Sequence, residues 1–208
     1  MGVPSVSIQK VLVPITGEPY PLQAGELTFE LNLGAISVTK MSSDGILLEG
    51  TEFELLDESG SVLETGTTDS SGIVIFSDLA EGSYTVREKT PSEGYAISAT
   101  GSQNVTVTAG VSTAVTFYNE RITGKLRIVK KDSETDRPLE GAIFTVTRLS
   151  GPGSDNASDI GTVVATITTD ADGIAETGLL PWGEYQITET GVPDDYLDDG
   201  YTVTTWIK

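Results

Sequence analysis

The 208-residue sequence contains no cysteine and no histidine. Those two absences exclude disulfides, thiolate zinc sites and every Ser-His or Cys-His nucleophile pair. Basic residues are scarce, with 12 Lys and Arg against 31 Asp and Glu, for a net charge of −19. Such a field repels nucleic acid and anionic lipid, so neither is expected as a partner. No helical periodicity persists, and no apolar run is long enough to span a bilayer. No secretion signal or sorting tail is legible; such segments are expected to have been removed or to lie outside these residues.

What is present is a repeat. Gly34-Ala-Ile-Ser-Val-Thr-Lys40 matches Gly124-Lys-Leu-Arg-Ile-Val-Lys130, and Leu48-Glu-Gly-Thr-Glu-Phe53 matches Leu139-Glu-Gly-Ala-Ile-Phe144. Thr67-Thr-Asp-Ser-Ser-Gly72 matches Thr168-Thr-Asp-Ala-Asp-Gly173, and Gly82-Ser-Tyr-Thr-Val-Arg-Glu88 matches Gly183-Glu-Tyr-Gln-Ile-Thr-Glu189. Two copies of about 100 residues each are a normal domain size. Short alternating runs between turns, with 23 Gly, predict an all-β fold of tandem antiparallel sandwiches. The expected domains are residues 34–122 and 123–208. Residues 1–33 read as the opening strands of a third, partial copy with its own strand-end Lys10. The second copy stops after the strand Tyr201–Ile207, so it lacks the counterpart of Val115–Asn119. Its insertion Ser150–Gly161 is rich in Gly, Pro, Ser and Asp and is expected to be a surface loop.

The informative feature is a set of polar residues on apolar faces. Residues two apart in a strand point the same way. Lys40 is in phase with Ile36 and Val38, Glu88 with Tyr84 and Val86, and Asn119 with Val115 and Phe117. In the second copy Lys130 follows Leu126 and Ile128, and Glu189 follows Tyr185 and Ile187. A lone strand-end lysine usually snorkels to solvent. An in-phase Glu and Asn in the same copy favour a joint role. Asn32 is out of phase with Phe29 and Leu31 and is rejected as an equivalent.

These motifs resemble the collagen-adhesin B-type, or SpaA-like, domain of Gram-positive surface adhesins and pilins. The match covers Gly34–Arg121 fully and Gly124–Lys208 except for a last strand. The resemblance implies a prealbumin-like or immunoglobulin-like sandwich and a spontaneous isopeptide bond between Lys40 and Asn119, assisted by Glu88. In the second copy it implies Glu189 as the promoting acid and Lys130 as a crosslink lysine without an Asn in this chain; Lys10 stands likewise without a partner. It further implies a cell-wall-anchored stalk, with neighbouring domains, other pilin subunits or host extracellular matrix as partners. Loop-based binding of a host protein or glycan is the alternative. No cofactor or metal is expected, and no turnover.

The chemistry suits these residue types. An amine attacks a carboxamide only when unprotonated, and burial disfavours the charged form of an amine or a carboxylate. Contact between the two partners replaces a bimolecular encounter. Other features have plainer readings. Asp194, Asp195, Asp198 and Asp199 lack the spacing of a calcium loop, and Asp132, Glu134 and Asp136 suit a solvated turn. Lys131 falls on the polar phase. Trp182 is expected to cap the core of the second copy.

Overall fold

The computed structural model describes residues 32–152, 159–197 and 200–208. The expectations placed on residues 1–31, Lys10 included, lie outside the described residues, as do those on Asp198 and Asp199. Alternating Val, Ile and Thr favour extended chain, and turns rich in Gly, Asp and Ser divide it. The first copy contains β1 (Gly34–Ser42), β2 (Glu52–Leu56), β3 (Val62–Thr67), β4 (Ile73–Leu79), β5 (Gly82–Thr90), β6 (Tyr95–Ile97), β7 (Ser102–Val107) and β8 (Ser112–Arg121). They form two four-stranded sheets, ordered β4-β1-β8-β6 and β3-β2-β5-β7. Every pairing is antiparallel except β1 with β8, which run parallel. The sandwich is therefore antiparallel with one exception, formed by the first and last strands of the copy. No hairpin constrains that pair, because the whole copy intervenes between its members.

The core lies between the sheets and contains Ile36, Val38, Phe53, Leu55, Phe76, Val86, Val107 and Phe117. Each such side chain stabilises the fold by about 1.5–3 kcal/mol when fully buried. Phe53 and Phe117 meet edge to face across the sandwich at 5.0 Å between ring centroids.

The second copy contains β9 (Thr123–Gly124), β10 (Arg127–Val129), β11 (Ile143–Ser150), β12 (Val163–Thr168), β13 (Ile174–Glu176), β14 (Leu180–Pro181), β15 (Gly183–Gly191) and β16 (Thr202–Ile207). Its sheet β12-β11-β15-β16 repeats the order β3-β2-β5-β7. The other layer is reduced to β10 paired with β13, beside the small pair β9 and β14. A separate core holds Leu126, Phe144, Val146, Tyr185, Ile187 and Ile207.

The repeat persists to single hydrogen bonds. Thr68 Oγ1 donates to the Leu48 carbonyl at 2.7 Å, and Thr169 Oγ1 donates to that of Leu139 at 2.7 Å. The Tyr84 hydroxyl donates to the Ala80 carbonyl, and the Tyr185 hydroxyl to that of Pro181. Trp182 differs from expectation: it is half-buried outside the apolar core, edge to face with Trp206 at 5.2 Å. Its position after Pro181 places it at the end of the sandwich, where a second indole covers it.

Candidate functional site

The site is built by the parallel pairing of β1 with β8. Lys40 lies opposite Phe117 and Ser42 opposite Asn119, so Lys40 and Asn119 occupy adjacent strands of one sheet. The burial of β1 alternates along its length, and Ile36, Val38 and Lys40 are all fully buried. Glu88 comes from β5 in the facing sheet, paired with Phe53 on β2. Two turns hold the lysine backbone in place. The Lys40 amide donates to the Gly72 carbonyl at 2.7 Å, and the Leu48 amide donates to the Lys40 carbonyl at 3.0 Å.

The three side chains meet in the core. Lys40 Nζ donates to Glu88 Oε2 at 2.9 Å, and both side chains are fully buried. Asn119 Nδ2 donates to Glu88 Oε1 at 2.6 Å. The Ser98 backbone amide donates to Asn119 Oδ1 at 3.3 Å, which fixes the orientation of the carboxamide. Desolvation pushes the Lys40 amine below its ordinary value of 10.5, against the hydrogen bond and charge of Glu88, which pull it up. One carboxyl group thus touches both an amine and a carboxamide in a water-poor environment. Such a set can relay a proton between the amine and the carboxamide nitrogen through the shared carboxyl group.

In the second copy Lys130 Nζ donates to Glu189 Oε2 at 2.7 Å. The Lys130 side chain is 26% exposed against 0% for Lys40, whereas Glu189 is buried. Glu189 Oε1 is buried and accepts no hydrogen bond among the described residues. Its counterpart in the first copy is the atom that accepts from Asn119. The Lys130 backbone repeats the first copy, donating to the Gly173 carbonyl at 2.8 Å. Lys131 is exposed and pairs with Asp136 at 3.0 Å. Asp132 accepts from the amides of Thr135 and Glu134 and from the Tyr196 hydroxyl.

Two contributors escape the pattern of strand-end residues. Arg148 is in phase with Phe144 and Val146, and it is buried with an ion pair to Asp159 at 2.9 Å. The test that singles out Lys40, a charge on an apolar face, finds it. The Ser98 amide carries no side-chain signal, because any residue but proline supplies the same donor.

The SpaA model, described as a prealbumin-like fold domain, matches residues 34–121 and 124–206. The chain belongs to this family of structural β-sandwich domains. Serine-aspartate repeat-containing protein F of Staphylococcus epidermidis is 29% identical over 174 residues, which take in 75% of this chain and 10% of that protein. A collagen adhesin of Staphylococcus aureus is 31% identical over 97 residues, covering 46% of this chain and 7% of its own length. The solved structure of the Bacillus anthracis TIE protein superposes with a TM-score of 0.70 at 27% identity, over 85% of this chain and 31% of the other. The chain thus spans about a tenth or less of the two staphylococcal proteins.

Proposed function

We propose that this chain is a stalk module of a Gram-positive surface adhesin or pilus, rigidified by an amide that it forms between Lys40 and Asn119. The observation that carries the reading is the buried contact of Glu88 with both side chains. Lys40 Nζ gives a proton to Glu88 Oε2, and the neutral amine then attacks Cγ of Asn119. The carbonyl electron pair moves onto Oδ1, which faces the Ser98 amide. Glu88 delivers its proton to Nδ2, the C–N bond breaks, and ammonia leaves. The attacking nitrogen loses a second proton to the regenerated carboxylate, leaving a secondary amide and a protonated Glu88. The reaction runs once per molecule, with folding bringing the partners together and Glu88 moving the protons.

The parallel pair gives the amide a mechanical meaning. Tension enters at Gly34, the start of β1, and leaves at Arg121, the end of β8. With the amide in place the load passes along β1 to Lys40, across the new bond, and out through Asn119. Residues 41–118 are then bypassed, and extension of the copy requires breaking a covalent bond. Robustness without disulfides follows, as suits a module placed outside the cell among neighbouring domains or subunits.

Intact mass tests the reading. The folded chain is expected to weigh less than its sequence by one ammonia, with Lys40 and Asn119 recovered in one branched peptide. An unmodified mass in fully folded protein overturns it.

A second reading rests on the aromatic pair. Trp206 is 42% exposed, meets Trp182 edge to face, and lies under the Lys208 amine at 5.0 Å. Exposed aromatic faces suit a sugar ring or a host protein, so this end of the second copy is the binding surface of that reading. Glycan and matrix-protein binding that disappears in Trp206→Ala supports it; binding unchanged by that substitution removes it.

A further inference from the structure

The sheet β12-β11-β15-β16 turns one face to the core and the other to solvent. Val146 and Ile187 point into the core, so Thr145, Thr147, Gln186 and Thr188 point outward. Cross-strand pairing sets the outward residues in rows. One row runs Thr166, Thr145, Thr188, Thr202 across all four strands. The next runs Thr147, Gln186, Thr204, and a third sets Glu184 opposite the exposed Trp206. Strands lie about 4.8 Å apart and successive rows about 7 Å, so hydroxyl and amide groups recur on a regular grid. No side chain of the first two rows is charged, in a chain of net charge −19.

The first copy uses the same positions differently. Glu54 corresponds to Thr145 and Arg87 to Thr188, and those two residues form an ion pair at 2.6 Å. Glu52 pairs with Lys89 beside them at 2.8 Å. Thr106, opposite Ser83, stands where the second copy has Trp206 opposite Glu184. Threonine is common in strands of any kind. The exchange of an ion-paired face for an uncharged one that ends in an exposed indole separates two copies of one fold. The first copy, with both sheets four-stranded, also leaves this face open, with the Arg87 side chain 48% exposed. The face is thus an outer surface of the sandwich in both copies.

We propose that this face binds an uncharged, extended β-linked polysaccharide, laid across the rows with one sugar ring against Trp206. A pyranose ring presents C–H groups on its faces and hydroxyls around its rim. The indole suits the former. The threonine hydroxyls and the Gln186 amide, each both donor and acceptor, suit the latter. Repeating rows of such groups match a repeating chain. A neutral polymer meets no repulsion from the net charge of −19, which disfavours acidic ones. The inference deepens the aromatic reading given above and rests on it, because Trp206 belongs to both.

The probe is a β-1,4-linked glucose hexamer, titrated into the full chain and followed by NMR at the Trp206 indole and the Gln186 side-chain amide. Saturable binding with shifts at both is expected, whereas polygalacturonate, an acidic polymer, should leave both unmoved. The decisive variant combines Thr145→Glu with Thr188→Arg, which installs the ion pair that the first copy holds in the same fold. It should keep the circular dichroism of the parent and bind the hexamer roughly tenfold more weakly. Thr204→Glu, on the exposed edge strand, should weaken binding likewise and serves if the double variant misfolds. Full binding by the folded variants, with loss in Trp206→Ala, overturns the inference and leaves the aromatic reading standing. No binding of the hexamer by the parent, or equal binding of the acidic polymer, also overturns it. Binding unchanged in Trp206→Ala removes the aromatic reading and this inference together.

Discussion

Glu88 touches both Lys40 and Asn119, so its removal separates folding from the proposed chemistry. Glu88→Ala is expected to keep the sandwich, recognisable by circular dichroism, while the mass stays unmodified. It leaves Lys40 and Asn119 buried without their shared partner, at a cost of about 2–3 kcal/mol in denaturant titrations. Lys40 also makes a pH prediction once the bond is prevented. In Asn119→Ala the amine stays free, and burial still lowers its pKa below 10.5. The unfolded chain then binds more protons than the folded one between the lowered value and 10.5. Stability therefore rises with pH through that window and is lost as pH falls through it. Adding Lys40→Met to that variant should flatten the slope, and an unchanged slope would assign it to other groups.

At the scale of elements, the turns decide where the lysines sit. Gly72 has φ of 68°, a conformation that costs a side chain about 1–2 kcal/mol. A Cβ there would lie 2.7 Å from the Lys40 carbonyl, the backbone that the turn holds. Gly72→Ala is thus expected to destabilise by about 2 kcal/mol or more, and to slow the loss of ammonia as the newly made chain first folds. The same geometry recurs at Gly173 against the Lys130 carbonyl. The turn after Lys131 is organised instead by Asp132. Hydrogen bonds, that from the Thr135 amide foremost, pull its carboxyl down to about 2. Its contribution to stability is present above the ordinary value of 3.8 and is lost as pH falls from there toward about 2. A carbon-detected NMR titration should give that low midpoint, and replacing Tyr196 by Phe should raise it.

Across the whole molecule, the proposed amide would close a loop of about 80 residues around the first copy. By analogy with disulfides this stabilises by about 4 kcal/mol. The parent chain is expected to melt well above Asn119→Ala, and to resist proteolysis within β2–β7 that the variant permits. Under tension, the parent should show no extension step for residues 41–118, whereas the variant should unfold there. Equal force-extension traces would deny the amide its mechanical role.

Period-two alternation made the faces legible in the sequence, and the repeat made the polar misfits at Lys40, Glu88, Asn119, Lys130 and Glu189 visible as a set. That information is local, since side-chain direction alternates along any strand regardless of its neighbours. The outward position of Lys131 and the acidic character of the turn that follows were readable for the same reason. The sequence did not state that β1 and β8 run parallel, nor that the Ser98 amide orients Asn119. Neither did it state that Trp182 pairs with Trp206 outside the core. Those facts depend on which strands lie side by side and how the two sheets face each other. The Lys40–Glu88 contact joins residues 48 apart, and the Asn119–Glu88 contact joins residues 31 apart. Only sheet pairing and packing bring such residues within 3 Å, because chain spacing sets no distance once several turns intervene.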